Sequence, residues 1–154
     1  MIEFYEDLSF ECLPRLFSEG VRVDFAFIDG QHTFDYALVD FFLVDKLLNV
    51  GGVVVLDDFG FASVQKVCRY ISSNLEYVCI GPKDGVAPAM KTRIASSLGR
   101  IFPFSRLFRP ELTIPNSGMN LPSRSRYVAF RKMSEDKIGP DPDCNRDHFT
   151  HHPF

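Results

Sequence analysis

Four residues near the middle of the chain have the types and spacing for chemistry. Asp29 and His32 lie three apart in the run FIDGQH, and Asp57 and Asp58 are adjacent in VVVLDDFG. Carboxylates gathered at one place bind a cation or a cationic ligand, and an imidazole beside them adds a group that exchanges protons near neutral pH. For that chemistry the four must meet, although the chain separates the two pairs widely.

The elements around them bring them together. Val23 to Ile28 is an apolar run interrupted only by Asp24, and Asp29-Gly30 stops it as a strand breaking into a turn. Gly52 to Leu56 repeats the pattern and ends in Asp57-Asp58. Continuous apolar runs suit parallel strands covered on both faces. Between them Phe34, Ala37, Leu38, Phe41, Val44 and Leu48 recur at spacings of three and four, which predicts one buried helical stripe. Thr33 is placed to cap that helix, Asp35 lies in its first turn and Gly51 is placed to end it. A right-handed crossover sets the two strands side by side and parallel, so Asp29, Asp57 and Asp58 converge at one edge of the sheet with His32 above them. In open α/β sheets that edge is where ligands bind.

Composition narrows the class. A chain of 154 residues with 45% hydrophobic and 14% aromatic content has enough apolar material for one globular domain. A net charge of −3 gives the chain no electrostatic footprint for nucleic acid. Cys12, Cys68, Cys79 and Cys144 form no CxxC pair, and no secretory signal opens the sequence, so reduced thiols in a cytoplasmic protein are expected. No apolar run approaches the roughly 20 residues that cross a bilayer.

Along the chain, Ile2 to Tyr5 reads as a short strand. Ser9 is placed to cap a helix bearing Cys12, Leu13, Leu16 and Phe17, in which Pro14 is tolerable only near the start, and Gly20 ends it. After the turn Phe59-Gly60-Phe61, residues Val64, Val67, Cys68, Ile71 and Leu75 predict a second amphipathic helix, capped near Ser63, and Tyr77 to Ile80 a strand. The alternation argues for an α/β doubly wound sheet. Residues 82–125 read as an insertion or lid in which Lys91, Arg93, Arg100, Arg106 and Arg109 are interleaved with apolar residues. A last strand over Tyr127 to Phe130 closes a domain of residues 1–134, followed by a flexible tail over 135–154. In the tail, Cys144, His148, His151 and His152 match no standard zinc spacing, and a solvated tail is the expected reading.

Taken together, DFAFIDGQHTFDYALVDFFLVDKLL, GGVVVLDDFG and SVQKVCRYI resemble class I S-adenosylmethionine-dependent methyltransferases, in particular the small-molecule O-methyltransferase-like group. The resemblance implies a partial Rossmann-like sheet, mostly parallel, with helices on both faces and a long insertion before the last strand. It also implies S-adenosylmethionine as cofactor and a small-molecule hydroxyl as methyl acceptor. Ser9 and Phe10 fall where that group contacts the adenine, and Asp29, Gly30 and His32 fall at its cofactor turn. In metal-dependent members the acids at the positions of Asp29, Asp57 and Asp58 hold a divalent cation, and Mg²⁺ suits such an oxygen set. The implied reaction is in-line attack by the acceptor hydroxyl on the sulfonium methyl, with a cation lowering the hydroxyl pKa and holding the nucleophile near the methyl, His32 as general base and Asp29 as the other catalytic residue.

The family's glycine-rich cofactor loop and ribose-binding acid belong before the first residue of the matched portion, and no G-x-G-x-G pattern occurs in the chain. The expectation is therefore a truncated domain, inactive alone, whose Val23 to Ile28 strand presents an open edge to a second copy or a complementing chain. A non-catalytic interaction module using that edge is the competing reading. A nucleotide-sugar transferase spaces its acid pair by one residue, and a phospho-receiver domain places its adjacent pair before the single aspartate, so neither order fits.

Overall fold

A computed structural model describes residues 2–82, 116–135 and 154. The elements are α1 (Ser9–Ser18), β1 (Val23–Ile28), α2 (Phe34–Leu47), β2 (Leu48–Leu56), α3 (Ala62–Asn74), β3 (Tyr77–Gly81) and β4 (Val128–Lys132), with a short 3-10 turn at Asn116–Met119. They form a four-stranded sheet in the order β1-β2-β4-β3. β1 and β2 pair in parallel, while β4 runs antiparallel to both of its neighbours. Three strands thus share one direction and the fourth is reversed between them, so the sheet is mixed in its pairing, unlike the mostly parallel sheet expected. The α/β class and the central strand–helix–strand unit are as read from the sequence.

The apolar stripe of α2 explains why it folds where it does. Ala37, Phe41 and Val44 are buried against Val54, Leu56, Val128 and Phe130 of the sheet and Val64, Val67, Cys68 and Ile71 of α3. Side chains of this size each contribute roughly 1.5–3 kcal/mol when removed from water. Burial pushes the Cys68 thiol well above its ordinary range, and half-buried Cys79 is raised for the same reason. Cys12, Cys68 and Cys79 are all free thiols.

Strand register divides the sheet into two unlike faces. Ala26, Val54, Phe130 and Cys79 form a row under the helices, whereas Phe25, Val53, Arg131 and Val78 form the neighbouring row on the other side. Among the described residues that second face carries no helix, and Phe25 and Phe27 remain 60% and 53% exposed. The expectations of strands covered on both faces and of helices on both sides are therefore not met in the described part. Adjacent α2 and α3, and α1 packed on α2, lie on one side because both crossovers advance across the sheet in the same direction.

Several boundaries differ from expectation for identifiable reasons. Ile2 to Tyr5 forms no strand: Ile2 and Phe4 are exposed and no sheet neighbour lies beside them. Pro14 sits well inside α1 rather than near its start, and the helix persists because it packs on α2. β2 begins at Leu48, straight after α2, and Gly51 at φ +86° lies within the strand, where the β1–β2 register shifts, rather than ending the helix. β3 and β4 are displaced from their expected limits by one or two residues.

Lys91, Arg93, Arg100, Arg106 and Arg109 of the expected insertion, and Cys144, His148, His151 and His152 of the tail, lie outside the described residues. No helix among the described residues is long and apolar enough to cross a membrane.

Candidate functional site

The parallel β1–β2 pair delivers its chemistry to one rim. Asp57 is the residue after β2, and its backbone N–H donates to the Ile28 carbonyl, carrying the ladder to the ends of both strands. Beyond it Asp58 takes a left-handed backbone, φ 52°, and its carbonyl accepts the Phe61 N–H, closing a tight turn into α3. That turn reverses the side-chain direction between adjacent acids. Asp57 points inward and is buried, with Oδ1 3.5 Å from Arg126 Nε, whereas Asp58 faces the rim.

There Asp58 meets the turn after β1. His32 Nε2 lies 2.8 Å from Asp58 Oδ2 and 3.8 Å from Asp29 Oδ1. One ligand atom from each of Asp29, His32 and Asp58 lies within 4.8 Å of the others. The fold therefore brings three of the four expected rim residues together and sets Asp57 beneath them. Two contacts hold the imidazole in place. Phe61 stacks on it at 4.9 Å between ring centroids, 11° from parallel, and Ser63 Oγ–H donates to the His32 carbonyl. Ser63 thus ties α3 to the His32 turn instead of capping α3, whose N-cap position is Phe61.

The expected cofactor contacts are tied in by a residue that sequence reasoning passed over. Asp40, buried on α2, accepts the Ser9 hydroxyl hydrogen bond at 2.5 Å through Oδ1. Its other oxygen lies so close to Gly30 that an added Cβ there would approach it to 2.8 Å. Ser9 does not cap α1; Leu8 holds the N-cap position, and the Ser9 hydroxyl is spent on Asp40. Phe10 is partly exposed, edge-on to Tyr36 at 6.3 Å. Asp40 thus joins the start of α1 to the turn bearing Asp29 and His32. A signal for it was present: Asp40 lies three residues after Ala37 and four before Val44, in phase with the buried stripe.

Beneath the turn, Ile28, Gly30, His32, Leu56, Asp57 and Val64 contribute to a cavity of about 10 Å³. That is room for about one water and not for a nucleoside. A ligand of nucleoside size therefore does not fit inside this hollow.

A family model described as a methyltransferase domain matches residues 1–59. No curated protein and no solved structure matches the chain. The matched stretch, under half of the chain, holds α1, β1, α2 and β2 together with Asp29, His32, Asp57 and Asp58, so the segment that builds the rim is similar to a methyltransferase domain.

Proposed function

From this methyltransferase-like segment, we propose that the protein supplies the reactive rim of an S-adenosylmethionine-dependent O-methyltransferase acting on a small molecule. The observation that supports the reading best is the meeting of Asp29, His32 and Asp58 at the carboxyl ends of two parallel strands. By the resemblance Ser9, Phe10 and Gly30 would contact the cofactor, and Asp40 touches both Ser9 and Gly30, which supports their acting together. Exposed Asp29 and half-buried Asp58 are the carboxylates positioned to hold a divalent cation, which when bound would lower the pKa of an acceptor hydroxyl. Buried Asp57, set against Arg126, supports the turn from below.

The reaction asks the rim to align the acceptor oxygen with the sulfonium methyl and to take up the hydroxyl proton. The His32 imidazole has two roles open to it in this geometry, proton acceptor and cation ligand. Calorimetric titration of S-adenosylhomocysteine into the whole chain, with and without divalent metal, checks the reading. Binding is expected in the wild type and is expected to weaken at least about tenfold in Asp29→Ala. Absence of heat under every condition overturns the methyltransferase reading.

A second reading is favoured by the open sheet face, where Phe25 and Phe27 project from edge strand β1. There the protein acts as a module that pairs with a second copy or a complementing chain through β1, with no methyl transfer of its own. Sedimentation velocity across a wide concentration range tests self-pairing. A concentration-dependent dimer that Phe27→Lys dissolves supports it, and a monomer at every concentration removes the second copy as the partner.

A further inference from the structure

We propose that Asp40 is the positioning residue of the rim: its two carboxyl oxygens hold the start of α1 and the Gly30 turn at once, and through that turn they aim the His32 imidazole. Its service to methyl transfer rests on the reading above, but the positioning itself is a property of the fold.

Placement is the first argument. Asp40 lies on α2 among Ala37, Phe41 and Val44 of the buried stripe and is only 7% exposed. A carboxyl group taken from water at such a position is costly unless its oxygens find partners, and an apolar side chain there would extend the stripe without that cost. Oδ1 accepts the Ser9 hydroxyl at 2.5 Å. Ser9 is the first residue of α1, whose N-cap Leu8 supplies no side-chain hydrogen bond, so this contact from a distant part of the chain fastens the helix start.

The other oxygen sets the turn. Oδ2 stands 2.8 Å from where a Cβ on Gly30 would lie, so the carboxyl packs on the glycine and restrains a residue type that otherwise has the widest choice of backbone conformation. The strand end before it is closed by the Asp57 N–H donating to the Ile28 carbonyl. Two residues beyond, His32 is gripped by the start of α3: Ser63 donates to its carbonyl, Phe61 stacks on its ring, and Nε2 comes to rest 2.8 Å from Asp58 Oδ2. Asp40 is the contact from the α2 side that keeps the intervening backbone in place, and its loss leaves the imidazole secured from one side only. Because a carboxyl group is rigid and planar, a rotation that follows Ser9 also moves Oδ2 against Gly30. A ligand that shifts α1 at Ser9 therefore shifts the His32 turn with it.

The test follows the His32 ring protons by nuclear magnetic resonance in the whole chain, since stacking on Phe61 displaces their signals by ring current. Asp40→Ala and Ser9→Ala are expected to lose most of that displacement, whereas Asp40→Asn, which keeps an acceptor for the Ser9 hydroxyl and nearly the same shape, retains it. Tyr77→Phe removes a hydroxyl bond to Asp45 at the end of the sheet away from the rim, and is expected to lower stability without moving the signal. Calorimetry with S-adenosylhomocysteine is the second readout: affinity is expected to fall at least about tenfold in Asp40→Ala and to stay within about threefold of wild type in Asp40→Asn. A ring signal unchanged in both Asp40→Ala and Ser9→Ala, or lost equally in Tyr77→Phe, overturns the assignment. If Asp40→Ala fails to fold, Ser9→Ala and Asp40→Asn decide by the same signal. A ring signal that depends on Asp40 without S-adenosylhomocysteine binding leaves the positioning standing and removes the methyltransferase reading; binding by the wild type with a ring signal indifferent to Asp40 does the reverse.

Discussion

Lys132→Ala is expected to lower the free energy of unfolding by about 3–5 kcal/mol. Lys132 is the last residue of β4 and only 1% exposed. Its ammonium donates to the carbonyls of Asp45, at 2.8 Å, and Leu48, at 3.0 Å, and lies 3.3 Å from Asp45 Oδ1 and 3.0 Å from Glu135 Oε2. One charge thus fastens the reversed strand to the end of α2 and the beginning of β2. Truncation leaves two buried carbonyls without their donor and an almost buried carboxylate with less compensation. The Tyr77 hydroxyl, 2.6 Å from Asp45 Oδ1, and Lys46, 3.4 Å from Oδ2, stay in place and keep the loss from being larger. Lys132→Met retains most of the stem and separates lost packing from lost charge. Urea denaturation of both variants checks the expectation, and a loss under about 1 kcal/mol in Lys132→Ala contradicts it.

Gly30→Ala is expected to destabilise the protein by about 1–3 kcal/mol, and most of that cost is expected to vanish when Asp40 is also alanine. The added methyl would meet Asp40 Oδ2 at 2.8 Å, and Asp40 is not free to withdraw because Oδ1 holds the Ser9 hydroxyl. Relief in one place therefore means release of α1 in another. Asp40→Ala alone removes a charge-assisted hydrogen bond and is expected to cost about 1–3 kcal/mol. A double-mutant cycle by denaturant unfolding reads the coupling, which is expected to be about 1 kcal/mol or more. Simple additivity of the two changes would show that the Gly30 turn and the start of α1 are held independently.

Elements whose fate depends on periodicity were legible. α2 and α3 follow their apolar spacing, and β1 ends at Ile28, just before the Asp29-Gly30 turn. Features that depend on distant partners were not. The Ile2 to Tyr5 run has strand composition but no neighbour to pair with, and Leu48 leaves the helix for the sheet because β1 offers Val23 as its partner. Reversal of β4 leaves no local trace in its own sequence. At the site, adjacency in the chain predicted that Asp57 and Asp58 act together, but a single left-handed residue turns one inward and the other outward. The stacking of Phe61 on His32 and the burial of Lys132 arise from contacts across the fold that no window of sequence contains.

Among the described residues, the sheet face that carries Phe25, Phe27 and Val78 is open to water in the folded molecule as well as in the denatured chain. Its hydration therefore cancels from the difference between those two states. Heat capacity of unfolding and denaturant sensitivity both scale with newly hydrated surface, so each is expected to be smaller here than for a domain of equal length with both sides of its sheet enclosed. The curve of stability against temperature is expected to be correspondingly flat, which a calorimetric scan checks.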